Sequence, residues 1–148
     1  MSCLRIAFVG CGAISKFHHT GVKEGSGRIQ ITAAVDSDLS KAEELAAQTG
    51  AQVFTSLEDA LLQGDFDAVD LMLPHDLHED YALTCFAAGK HVLIEKPMAP
   101  TLDACDRLIE AAAESGHVFM VAENAQYWPE IVKAAELIVE GAIGDIIT

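Results

Sequence analysis

Positive charge is scarce in this 148-residue chain. Nine Lys plus Arg face 23 Asp plus Glu, for a formal net charge of −14, and the basic residues stand singly rather than in runs. A field of that sign repels phosphate backbones and anionic lipid, so neither nucleic acid nor a membrane surface is an expected partner. Long apolar runs are missing as well. The N-terminus offers one Arg, a short apolar strand and then glycines, which is neither a secretory h-region nor a bilayer span, and a cytoplasmic location is expected. Cys3, Cys11, Cys85 and Cys105 show no CxxC spacing and fall within apparent strands and helices, so they read as small thiols in a reducing compartment. Linkers, internal repeats and low-complexity segments are also absent.

What the chain does have is enough apolar content, 51% of residues, for one good core, and its length favours a single domain over residues 1–148. Strand and helix patterns alternate throughout. Residues 4–9 (LRIAFV), 29–35 (IQITAAV), 52–54, 68–73, 90–95 and 118–122 read as strands, and 13–24, 39–50, 56–64, 76–88, 101–115 and 129–140 as helices. Ser37 or Asp38 is a candidate cap for the second helix, and Gly50 and Gly89 are candidate stops. Near-continuous apolar strands separated by helices predict an α/β fold, a doubly wound parallel sheet with helices on both faces in three layers.

Chemistry enters at "FVGCGAISKF". Gly10 and Gly12 follow the first strand and precede the first helix, where dinucleotide sites use one glycine for a tight turn and the next for backbone approach to a pyrophosphate. Ser15 takes the third glycine's place, small enough for close helix–strand packing. The glycines alone are shared with methyltransferases and many other α/β folds. Asp36 ends the second strand about 20 residues further on, where a carboxylate can accept hydrogen bonds from both adenosine ribose hydroxyls. Asp38 stands nearby and no Arg follows Asp36, so a 2′-phosphate would meet negative charge, and NAD is expected over NADP.

The run "HVLIEKPMAPT" passes from sheet-interior residues straight to Glu95, Lys96 and Pro97. Ligands of doubly wound sheets bind outside the carboxyl ends of the strands, so this strand reads as a holder for Lys96. A Lys there can orient a substrate hydroxyl and stabilise developing negative charge, while Glu95 can bond sugar hydroxyls or pair with Lys96, and Pro97 is a candidate cis residue. His75 and His78, with Asp76, Glu79 and Asp80, allow a metal reading as well, but no metal is expected; His18, His19, His91 and His117 read as packing or surface residues.

"AGKHVLIEKPMAPTL" resembles the E-K-P segment of the glucose-fructose oxidoreductase, inositol dehydrogenase and MocA-like family. "RIAFVGCGAIS", "AAVDSD", "DAVDLMLPHDLHEDYAL" and "WPEIVKAAELIVEGAIGDI" resemble its glycine turn, ribose acid, Pro-Asn-x-x-His turn and the stretch leading to its second domain. The resemblance implies a Rossmann domain, with residues 124–148 the lead-in to an α+β substrate domain absent from this sequence. It implies that Gly10, Gly12, Ala13 and Ile14 cradle the pyrophosphate and Asp36 holds the adenosine ribose. Leu73, Pro74 and His78 then line the nicotinamide half, Glu95 and Lys96 contact the nicotinamide ribose, and Lys96 is the catalytic residue that also reaches substrate. His75 replaces the family's usual Asn, and Gln126 an Arg found in many members, which unsettles contacts at both positions. Many members also carry an Asp-x-x-x-His pair whose His is the general base, whereas Asp103 and Asp106 have no His four residues on.

The resemblance thus implies the NAD-binding part of an oxidoreductase that exchanges hydride with a sugar or polyol hydroxyl, with little turnover by this chain alone. The alternative is a non-catalytic nucleotide-binding or interaction module using the same crevice. The last helix, the open side of the sheet and "AIGDIIT" are candidate surfaces for homo-oligomer formation.

Overall fold

A computed structural model describes residues 3–25 and 27–147. Six strands, β1 (Leu4–Val9), β2 (Ile29–Val35), β3 (Gln52–Phe54), β4 (Ala68–Leu71), β5 (His91–Ile94) and β6 (Phe119–Val121), form one sheet in the order β3-β2-β1-β4-β5-β6. Every pairing is parallel. The chain winds outward from β1 to β3, returns beside β1 as β4, and winds the other way to β6. That reversal opens a crevice at the carboxyl ends of β1 and β4.

The helices are α1 (Ser15–Glu24), α2 (Leu39–Thr49), α3 (Leu57–Gln63), α4 (His78–Ala87), α5 (Leu102–Ser115) and α6 (Pro129–Val139). Local chemistry sets several of their ends. Asp38, Ser56 and Thr101 cap α2, α3 and α5 by accepting from Ser40 N, Asp59 N and Ala104 N, relieving donors that have no partner in a first turn. The strand expected over 68–73 ends at Leu71, and the helix expected from 76 begins with a short 3-10 turn, His75–Leu77. Pro74 forces both adjustments, since it has no amide to donate and holds φ at −54°.

Strand alternation sends side chains to two cores. One side packs Val9, Val35, Val69, Leu71 and Ile94 against Leu57, Ala82, Phe86 and Leu108 of α3, α4 and α5. The other packs Ile6, Phe8, Ile31 and Ala68 against Ala42 and Leu45 of α2, with Val22 of α1 beside them. Fully buried Leu57 and Leu108 contribute about 2 kcal/mol each by leaving water. The fold is therefore the doubly wound, three-layer α/β arrangement that the alternation predicts. Coverage is uneven. On the α1/α2 side Leu93 of β5 is half-buried and Met120 of β6 is 48% exposed. No residue of α6 is buried, and Ile131, Val132, Ile138 and Val139 face solvent.

Candidate dinucleotide site

The turn after β1 shows why two of its positions are glycine. Gly10 has φ +93°, its N–H donates to Val35 O at 2.8 Å, and a Cβ there would stand 2.3 Å from Met72 O. At Gly12 an added Cβ would meet nothing within 4 Å, because that position faces the open crevice. Ser15, buried in the third small position, donates its hydroxyl to Gly12 O at 2.7 Å, so its polarity is satisfied locally. No side chain caps α1. Phe17 N donates to Ile14 O at 3.0 Å, and the amides before it, next to exposed Ala13 and Ile14, are open to an anion.

Asp36 is fixed from two directions. Its Oδ2 accepts from Cys11 N at 2.8 Å and its Oδ1 from Asp38 N at 2.9 Å, which aims the remaining lone pairs outward. A crevice of about 370 Å³ runs past Gly10, Gly12, Asp36, Leu73 and Pro74. That volume is at the lower end of small-molecule pockets. Cys11 lies beneath the turn, its Sγ directed at Val35 O, and burial followed by the charge of Asp36 pushes its thiol up to about 11. It is a packed, protonated thiol.

At the ends of β4 and β5 the chain places Glu95 half-buried and Lys96 exposed, and the Lys96–Pro97 peptide is cis. Glu95 N donates to Leu71 O at 2.9 Å, extending the β4–β5 ladder by one residue, and Glu95 Oε2 accepts from Lys96 N at 2.9 Å. Of the two roles open to Glu95, a bond to a sugar hydroxyl or a pair with the Lys96 side chain, the structure shows neither; Glu95 Oε1 lies 2.9 Å from His18 Nε2. His18 Nδ1 in turn lies 2.7 Å from Oδ2 of Asp70, a carboxylate 2% exposed in the middle of β4. Beside this chain a second cavity of about 530 Å³ extends from Ile14 past His18 and Glu95 to Asn124 and Tyr127.

His78 stands one layer behind the crevice rather than on its wall. It is fully buried, and its ring nitrogens lie 3.0 Å from Pro97 O and 3.0 Å from Leu73 O. It thereby sits between the turn after β4 and the turn after β5, with a carbonyl oxygen facing each ring nitrogen. His75 and Gln126 are exposed, with Gln126 Nε2 donating to Glu123 O at 3.2 Å. Among the described residues no group of three or more His, Cys, Asp or Glu is arranged to hold a metal ion.

Gly10, Gly12, Ala13, Ile14, Asp36, Leu73, Pro74, Glu95 and Lys96 thus all follow the carboxyl ends of β1, β2, β4 and β5, with Gly10, Gly12, Asp36, Leu73 and Pro74 on the first cavity and Ile14 and Glu95 on the second. Sequence reasoning missed His18 and Asp70. The available signal was "AVDLM": an acid flanked on both sides by apolar strand residues must have a partner, because an unpaired buried carboxylate is costly.

A parallel sheet with a glycine turn, an uncapped first helix and an oriented carboxylate at its switch point defines a dinucleotide-binding Rossmann domain. Residues 4–123 match the model of the oxidoreductase family with NAD-binding Rossmann fold known as Gfo/Idh/MocA. The chain belongs to that family. It is 35% identical over 127 residues to the 4-carboxy-2-hydroxymuconate-6-semialdehyde dehydrogenase of a Sphingobium species, a match covering 85% of this chain and 40% of that protein. It is 38% identical to inositol 2-dehydrogenase of Rhodococcus erythropolis over 76% of this chain and 33% of the relative. Among solved structures it resembles the WlbA dehydrogenase of Bordetella pertussis, crystallised with NADH and UDP-GlcNAcA. There the TM-score is 0.92 with 32% identity, over 98% of this chain and 42% of that one. The chain therefore spans about 40% of the length of such relatives. No helix among the described residues is long and apolar enough to cross a membrane.

Proposed function

We propose that this chain is the coenzyme-binding part of an NAD-dependent dehydrogenase acting on a sugar or polyol hydroxyl. The observation that carries the reading is Asp36, held by Cys11 N and Asp38 N in the crevice that also contains Gly10 and Gly12. A carboxylate so held accepts hydrogen bonds from paired ribose hydroxyls and repels a 2′-phosphate, hence NAD over NADP. One homologous protein, from Haloarcula marismortui, is a D-xylose 1-dehydrogenase that uses NADP, so coenzyme choice within the family turns on local residues such as these. Gly12, Ala13 and Ile14 present backbone amides to the pyrophosphate. Leu73 and Pro74 form the apolar wall, and Glu95 and Lys96 take the nicotinamide ribose.

When bound, the coenzyme supplies a carbon that accepts or returns a hydride. The ammonium of Lys96 holds the substrate oxygen and stabilises the negative charge that grows on it. His78, through the carbonyls of Leu73 and Pro97, keeps the two turns at fixed separation and acts without touching the coenzyme. Residues 124–148 are read as the lead-in to a substrate-binding part. The sequence places no Asp-x-x-x-His pair after Lys96, so this chain alone is expected to bind coenzyme and turn over little.

The test is a fluorescence titration with NADH, repeated with NADPH and with Asp36→Ala. The wild type should bind NADH more tightly than NADPH. Loss of a charged acceptor of two hydrogen bonds should weaken NADH by about 2 kcal/mol, roughly 30-fold. Stronger binding of NADPH, or an unchanged affinity in Asp36→Ala, overturns the reading.

A further inference from the structure

The one buried charged cluster of the described residues that the coenzyme contacts leave unexplained is Asp70–His18–Glu95. Three elements meet in it: β4 supplies Asp70, the second turn of α1 supplies His18, and the end of β5 supplies Glu95. Both ring nitrogens of His18 face carboxylate oxygens, at 2.7 and 2.9 Å, and its side chain is 16% exposed. A neutral imidazole has one N–H and satisfies one of these contacts; an imidazolium has two and satisfies both. The same count of protons is kept if the inner one sits on Asp70 and the ring donates only to Glu95. Phe8 closes the remaining side with its ring edge-to-face at 6.5 Å.

Two details separate this cluster from an ordinary buried ion pair. Asp70 Oδ1 is buried without a partner, so the carboxylate serves His18 and nothing else, at the cost of a stranded acceptor. And Glu95, once held by His18 through Oε1, accepts the Lys96 amide through Oε2, so the ring, the carboxylate and the backbone that launches Lys96 form one connected unit.

We propose that His18 is a positioning residue for the nicotinamide end of the crevice: protonated and anchored on Asp70, it clamps Glu95 and thereby orients Lys96. The inference rests on the coenzyme reading given above. Loss of the shared proton leaves a lone pair facing one carboxylate, and Glu95, the more exposed of the two, is released. The other titratable side chains around this cavity are Glu123 and Tyr127, from the segment after β6, with Lys96 on the same turn as Glu95. The ring is predisposed to hold its proton near neutrality, since first Asp70 and then Glu95 raise it to about 8 against the opposing effect of burial.

ADP and NADH separate the two claims, because ADP lacks the ribose and ring that Glu95 and Lys96 would serve. Both affinities are measured on the wild type, His18→Gln and Glu95→Gln from about pH 7 to about pH 9. The clamp predicts that wild-type NADH binding weakens about tenfold over that range while ADP binding changes by less than about twofold. It predicts that both variants lose this difference in pH response and bind NADH about tenfold more weakly than wild type near pH 7, with ADP unaffected. Parallel loss of ADP and NADH affinity in His18→Gln, or a flat wild-type NADH profile, overturns the clamp and leaves the coenzyme reading standing. Failure of the wild type to bind either ligand overturns both. The wild-type profile needs no variant to fold.

Discussion

Along the carboxyl ends of the strands, Asp36 at one end is held by two main-chain amides, Cys11 N and Asp38 N; Glu95, on the neighbouring cavity at the other end, is held by a histidine ring that leans on a buried aspartate. The first end is made of backbone. Its geometry depends on a residue without a side chain at position 10, and its donors do not titrate near neutrality. The second end is made of side-chain charge drawn from three elements, and its geometry depends on a proton. A ligand that spans both meets a rigid support at one end and a condition-dependent one at the other. The difference follows from where each end sits. The β1–β2 half lies under α2, whereas the β5–β6 half has Leu93 half-buried and Met120 exposed on the same side.

The largest effect should come from breaking the backbone-made end. Gly10→Ala puts a methyl 2.3 Å from Met72 O at a φ of +93°. Strained φ and a backbone clash act together, and neither is relieved by a rotamer change. A loss of about 3 kcal/mol or more of folding stability is expected, measured by urea denaturation. A variant as stable as wild type would mean that the β1 and β4 ends move apart easily, and the contrast between a rigid and a titrating end would lose its first half.

How much of this was legible in the sequence divides along the same line. Gly10 and Gly12 announce themselves because backbone geometry admits few residue types in such a turn, and Asp36 because an acid directly follows an apolar strand; the end of β4 at Leu71, three residues before Pro74, carried no such mark. The cap at Asp38 was readable too, whereas Ser56 and Thr101 read only as the places where their helices open. His18 was not, because nothing along α1 marks one histidine of the pair 18–19 as facing the sheet; that fact depends on α1 lying over β4 and β5. His78 misled in the opposite direction. Its spacing after Pro74 identifies an important turn, but only packing tells a side chain on the wall from one behind it, and this one is fully buried.

The side-chain end should show its dependence on a proton in stability as well as in binding. His18 is raised from 6.5 to about 8 by Asp70 first and Glu95 next. A base whose folded value is raised contributes stability that is complete below its unfolded value and is lost as pH rises through the folded one. Burial also raises Asp70, a shift of the same sign. Between pH 6.5 and about 8 the wild type should therefore lose on the order of 1 kcal/mol, the larger part of a total of about 2 kcal/mol whose remainder is lost on either side of that window. His18→Gln should flatten that slope, leaving a variant weaker than wild type at the acid end of the window and nearly equal at the alkaline end. A slope that survives the substitution would assign the proton to another group and remove the contrast between the two ends.

The smallest expected change in stability sharpens the comparison most, because it separates what the turn needs in order to fold from what it needs in order to bind. A Cβ at Gly12 meets nothing within 4 Å, and the position has no left-handed φ to strain. Gly12→Ala should accordingly shift folding stability by no more than about 0.5 kcal/mol in either direction. The same methyl projects into the space where a pyrophosphate must approach the backbone, so ADP and NADH affinities should fall together by about tenfold or more. Equal loss of both ligands is the signature that distinguishes this position from His18, whose replacement spares ADP. If Gly12→Ala binds both ligands as the wild type does, the phosphates do not lie against this turn. The open space beside Gly12 would then be a feature of the fold with no bearing on the coenzyme, and the rigid end of the crevice would have to be sought elsewhere along the strand ends.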